Sequence, residues 1–121
     1  MRREGYQRQR QKIAEFEHAL VREGYRTLNA QAKALGLNRA TTWTILKANH
    51  KASGLSASVI TRMLDAPQLP PSVRGWIHEY VKEKMNGSYG HERRQIRRFS
   101  AGLGIIMQGH LHRAAREVSD S

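Results

Sequence analysis

The sequence predicts an all-α fold. Apolar residues recur at spacings of three and four along most of the chain, no stretch alternates apolar and polar residues as a strand would, and glycines, prolines and short capping residues fall between the periodic runs. The first helix, about 7–23, is Arg/Gln-rich at its start, places Ile13, Phe16 and Leu20 on one face, and stops at Gly24. A short second helix, about 28–35, runs through Ala30, Ala32, Ala34 and Leu35 to a break at Gly36. Asn38 is placed to cap a third helix of about 39–49, with Ile45 and Leu46 as its buried stripe. Ser53-Gly54 turns the chain, and Ser56 caps a fourth helix of about 57–65, with Val59, Ile60, Met63 and Leu64 inward. Pro67, Pro70 and Pro71 mark a linker, and Pro71 suits the first turn of a fifth helix, where its missing amide hydrogen costs little. That helix, about 71–86, carries Val73, Trp76, Ile77, Tyr80, Val81 and Met85 at helical spacing. Asn86-Gly87-Ser88-Tyr89-Gly90 reads as a loop, and about 91–118 as a last helix that tolerates Gly102, Gly104 and Gly109. The expected organisation is a five- or six-helix domain over 1–90 and a basic, amphipathic helical extension over 91–121.

Composition narrows the function. The 121 residues suffice for one ordinary domain, and the absence of cysteine excludes disulfides, thiolate metal sites and cysteine nucleophiles. No apolar run approaches the roughly 20 residues of a membrane span, and the start leads into no signal-like apolar stretch, so a cytoplasmic protein without membrane contact is expected. Twenty-one Lys and Arg against ten Asp and Glu give a net charge of +11, which favours a polyanionic partner and nucleic acid first. From Gly24 to Leu64 there is no carboxylate to repel phosphate, while Lys33, Arg39, Lys47, Lys51 and Arg62 fall inside that window. Catalysis finds little support: the only aspartates are Asp65 and Asp120, and no phosphate-cradling loop or nucleophile elbow is present. His110 and His112 do not share a helix face and lack further ligands at metal spacing, so neither a metal nor another cofactor is expected.

The stretch from Thr27 to Lys47, TLNAQAKALGLNRATTWTILK, carries the most specific pattern. Ala32 is small where two helices must pass closely, Gly36 follows four residues later where a tight turn wants a positive φ, and Leu35, Leu37 and Ile45 close the inside. This segment resembles the helix-turn-helix of bacterial and phage regulators of the lambda-repressor and Cro type; Gln31 and Thr42 stand where that family usually has aliphatic residues. The resemblance implies that helix 39–49 enters the major groove with Asn38, Arg39, Ala40, Trp43, Thr44 and Lys47 outward. Arg39 can pair with guanine, Asn38 can read a base edge or serve only as the cap, and Thr41 and Thr44 can meet thymine methyls or phosphates. Lys33, Lys47 and Lys51 would neutralise phosphates beside the groove. Trp43 either faces outward or joins the core at a slightly different helix phase.

A second register reads Gly54 to Leu64 as a turn plus recognition helix; with the proline-bearing linker after it and Val73-Arg74 opening an amphipathic helix, it is similar to the lac-repressor-type headpiece. It is disfavoured because Asn49 and His50 would then occupy buried positions. Arg93, Arg94, Arg97 and Arg98 form either a solvated face or a phosphate clamp, aided by Arg2, Arg3, Arg8 and Arg10 of an N-terminal arm. Tyr89 and His91 are candidates for a further phosphate contact. Ile96, Phe99, Leu103, Ile106, Met107 and Leu111 either cap the core or join two copies, a homodimer being usual for proteins that read two half-sites. The expected function is a sequence-specific regulator of transcription, most simply a repressor, bound to double-stranded DNA. The alternatives are a non-specific nucleoid or RNA binder, and an antitoxin or antiactivator that acts by gripping a protein.

Overall fold

Short polar side chains open three of the helices by accepting amides that have no partner inside the helix. In the computed structural model, which describes residues 3–47 and 53–104, the Ala30 amide donates to Thr27 Oγ1 (3.1 Å), that of Thr41 to Asn38 Oδ1 (2.7 Å) and that of Val59 to Ser56 Oγ (3.2 Å). These caps begin α2 (Leu28–Leu35), α3 (Arg39–Leu46) and α4 (Ala57–Leu64). α1 (Arg3–Arg22) precedes them, α5 (Pro71–Met85) starts on Pro71 as expected, and α6 (93–104) follows the turn at 86–90. The fold is all-α, with six helices and no strand among the described residues. No described helix is long and apolar enough to cross a membrane.

Two boundaries differ from expectation, the start of the first helix and the end of the third, which closes at Leu46 rather than near 49. α1 starts at Arg3 rather than near residue 7, so Arg3 joins Arg8 and Arg10 on the helix. Packing explains the extra turn: Gly5 is buried against the backbone of Tyr89 and Gly90, where a Cβ would lie 2.4 Å from the Tyr89 carbonyl carbon. On α6, Gly102 is a packing notch, since a Cβ there would come within 3.0 Å of Ala57 Cβ on α4. Arg2, Asn49, His50, Lys51, Ile106, Met107, Gly109, His110, Leu111 and His112 lie outside the described residues.

One core joins all six helices. Phe16 and Leu20 of α1, Leu35 of α2, Ile60 and Met63 of α4, and Val73, Ile77 and Tyr80 of α5 are fully buried in it, and Phe99 and Leu103 of α6 belong to the same cluster. An aromatic column runs through it, with ring centroids 4.3 Å apart for Phe16–Trp76, 5.3 Å for Trp76–Tyr80 and 5.3 Å for Tyr80–Tyr89. Stacked pairs of this kind add about 0.5–1.5 kcal/mol each beyond the area they bury. Trp76 keeps its polar edge satisfied by donating to the Lys12 carbonyl at 3.0 Å. Lys12 itself is buried and meets three carboxylates, Glu79 at 3.1 Å, Glu15 at 3.6 Å and Glu83 at 3.8 Å.

The far end of α5 departs from the apolar reading. Met85 is 39% exposed, and the inward position goes to Lys84, only 5% exposed, because its ammonium reaches two backbone carbonyls of the turn before α4. Tyr89 and His91, expected as phosphate contacts, are both buried; Tyr89 completes the aromatic column and donates its hydroxyl hydrogen to Glu83.

Gly75 sits on the exposed side of α5, and a Cβ added there would meet nothing within 4 Å apart from its own helix backbone. Gly75→Ala is therefore expected to stabilise the fold by about 0.5–1 kcal/mol through helix propensity alone. A urea midpoint that falls instead of rising would show that the site is more crowded than its surroundings imply.

Candidate nucleic-acid interface

The turn between α2 and α3 is fixed by hydrogen bonds and by space. The Leu37 amide donates to the Ala32 carbonyl at 3.0 Å and the Gly36 amide to that of Lys33 at 3.3 Å, a pairing that closes a helix through a left-handed residue. Gly36 takes φ +67°, and a Cβ there would lie 2.9 Å from Ala66 Cβ, so both conformation and room require glycine. Ala32, Leu35, Leu37, Ile45 and Leu46 are buried as the periodicity predicts.

The two polar departures from the expected aliphatic pattern are accommodated by backbone acceptors. Buried Gln31 donates from Nε2 to the Tyr25 carbonyl at 3.0 Å, and fully buried Thr42 donates from Oγ1 to the Asn38 carbonyl at 2.8 Å. Each is thus a satisfied buried group, and neither disrupts the packing of α3.

The opposite side of α3 faces out. Asn38, Arg39, Ala40 and Lys47 are exposed, Thr41 and Thr44 are half-buried, and Trp43 is 50% exposed, which places its ring on the outer face rather than in the core. Asn38 spends its Oδ1 on the cap, and Thr44 donates its hydroxyl hydrogen to the Ala40 carbonyl at 2.9 Å. Lys33 is exposed on α2, and Lys51 is not among the described residues.

Lys47 is exposed, and its ammonium is ion-paired with Glu17 of α1, a surface contact of little energy that a phosphate can displace. The segment 24–64 holds no carboxylate, yet the fold brings one to it from 30 residues away.

A groove of about 430 Å³ lies beside the outer face, between Ala40, Thr41 and Thr44 on one side and Ser53, Gly54 and Ser56 on the other. Those last three residues also wall a second cleft, whose far side is α6 with Gln95, Arg98 and Phe99. Arg98 is therefore brought to the start of α4. Arg93, Arg94 and Arg97 are exposed on α6 and line neither space.

The buried Lys84 escaped the sequence reading, since a lysine within an amphipathic helix is ordinarily solvated. The signal available was its place in the Val73–Ile77–Tyr80–Lys84 row, which continues the inward stripe of α5 by another turn. Comparison of the chain with family models, with curated proteins and with solved structures gave no match.

Proposed function

We propose that the protein is a sequence-specific double-stranded DNA-binding regulator of transcription in which α2 and α3 act as a helix-turn-helix. The observation that carries this reading is the two-sided character of α3: Thr42, Ile45 and Leu46 are buried while Asn38, Arg39, Ala40 and Trp43 face out. A helix seated in this way offers a rigid side, and its N-terminal residues are those that meet base edges in a major groove. Arg39 is the first residue of α3, where a guanidinium can reach a guanine. The exposed arginines of α6 supply backbone contacts, and repression by occupancy of a site is the simplest mechanism. A homodimer that reads two half-sites belongs to the same proposal.

Selection from random duplex DNA, followed by anisotropy titration of the winning and scrambled sites, tests it. A consensus bound on the order of 10³-fold better than scrambled DNA supports sequence reading. Arg39→Ala is then expected to cost about 1–3 kcal/mol and to relax preference at one position. Equal binding of all sequences by parent and variant would exclude α3 as the reader.

One observation favours a second reading. An exposed tryptophan beside basic groups can stack on an unpaired base, as single-strand and RNA binders do. Competition between duplex DNA and single-stranded RNA of the same length separates the two, and loss of RNA binding in Trp43→Ala would bring the second forward.

A further inference from the structure

The two buried lysines are treated differently by the fold. Lys12 has three carboxylates within 3.8 Å. Lys84, equally buried, pairs with no carboxylate among the described residues; its ammonium donates to the Ser53 carbonyl at 2.7 Å and the Leu55 carbonyl at 2.8 Å and lies 4.1 Å from the Phe99 ring centre. An ammonium has three hydrogens to donate, so these two carbonyls leave one. Burial lowers the lysine only to about 8, so it remains a cation at neutral pH. A buried cation without a counter-charge is costly unless something anionic completes it.

Lys84 also lines the cleft between α4, α5 and α6, a space of about 510 Å³ that suits a small ligand. Arg98 adds a second cation, Ser58 and Gln95 add hydrogen-bonding groups, and Phe99 and Ala57 supply apolar wall. No carboxylate lines it among the described residues. We propose that this cleft binds a small organic carboxylate, its charge toward Lys84 and Arg98 and its apolar body between Phe99 and Ala57. The seat goes beyond the DNA reading and does not depend on it. Its occupant would touch the turn at Ser53, Gly54 and Ser56 that also walls the groove beside α3, so occupancy and the outer face of α3 share a boundary.

The test is an amide NMR titration of the full ¹⁵N-labelled chain, without nucleic acid, at constant ionic strength. The probes are benzoate, its neutral analogue benzamide, and inorganic phosphate. Expected are saturable shifts from benzoate centred on Ser58, Gln95 and Phe99, with benzamide and phosphate each binding about tenfold more weakly or less. Arg98→Gln, a change at an exposed residue, should weaken benzoate about tenfold while leaving the remainder of the spectrum in place. The proposal is overturned if benzoate shifts do not saturate, if they centre on the outer face of α3, if phosphate or benzamide binds as well as benzoate, or if Arg98→Gln binds as the parent does. None of these outcomes bears on whether duplex DNA is read by α3.

Discussion

Gly54→Ala is expected to lower the unfolding free energy by about 2–5 kcal/mol, the sum of a left-handed backbone penalty of about 1–2 and an overpacking penalty of about 1–3. Gly54 has φ +67°, and a Cβ on it would lie 2.2 Å from Gln9 Oε1 and 2.4 Å from the Tyr80 hydroxyl. Neither neighbour can yield cheaply. The Tyr80 hydroxyl accepts the Leu55 amide at 2.9 Å and donates to Gln9 Oε1 at 2.8 Å, and its ring is held between Trp76 and Tyr89. Gln9 is buried as well, so the methyl must break a buried hydrogen bond or move the turn. Urea unfolding of parent and variant measures the effect. A loss below about 1 kcal/mol would mean that the turn before α4 is free to relax, contrary to this buried clamp.

The second large effect concerns Lys84 and has a pH signature. Lys84→Met is expected to cost about 1–3 kcal/mol at neutral pH, because two hydrogen bonds from a cation to backbone carbonyls are lost and only part is returned by removing a buried charge. Burial lowers the native lysine from 10.5 to about 8. Below about pH 8 the folded and unfolded chains are both protonated there, and the group contributes no slope. Between about 8 and 10.5 the unfolded chain holds more protons, so the parent gains stability as pH rises, by at most about 1.4 kcal/mol per unit. The neutral amine still has hydrogens for both carbonyls, so the gain is not cancelled by losing the contact. Tyr80 and Tyr89 oppose the trend above about pH 10, since burial holds both phenols neutral in the fold while the unfolded chain ionises. The difference in stability between parent and Lys84→Met should therefore widen from about pH 8 to 10, because both proteins carry the tyrosines. A difference that stays flat or narrows would mean that Lys84 is not desolvated.

What was legible in the sequence was what depends on near neighbours. Asn38, Ser56 and Pro71 mark helix starts within a few residues, and Gly36 marks a left-handed turn, so α2 to α5 fall within two residues of expectation except at the end of the third helix, which closes at Leu46 rather than near 49. The inner and outer sides of α3 followed from the 3.6-residue repeat. The long-range polar contacts were not legible. Lys84 meets carbonyls about 30 residues earlier, Glu17 reaches Lys47 across 30 residues, and Gly5 packs on Tyr89, none of which any local pattern encodes. Tyr89 and His91 look like loop residues in a glycine-rich stretch, and only the arrival of α1 and α5 turns that stretch into core. Around the candidate interface the same limit applies: the basic side chains could be read off, but not which of them the fold already pairs.

The two tryptophans lie in opposite settings, and this gives the protein a pair of built-in optical reporters. Trp76 is 7% exposed and stacked between Phe16 and Tyr80, while Trp43 is 50% exposed on the outer side of α3. A water-borne quencher reaches the second far more readily than the first. Emission that survives quenching thus follows the integrity of the core, and the quenchable fraction follows whatever covers α3, without a label on either.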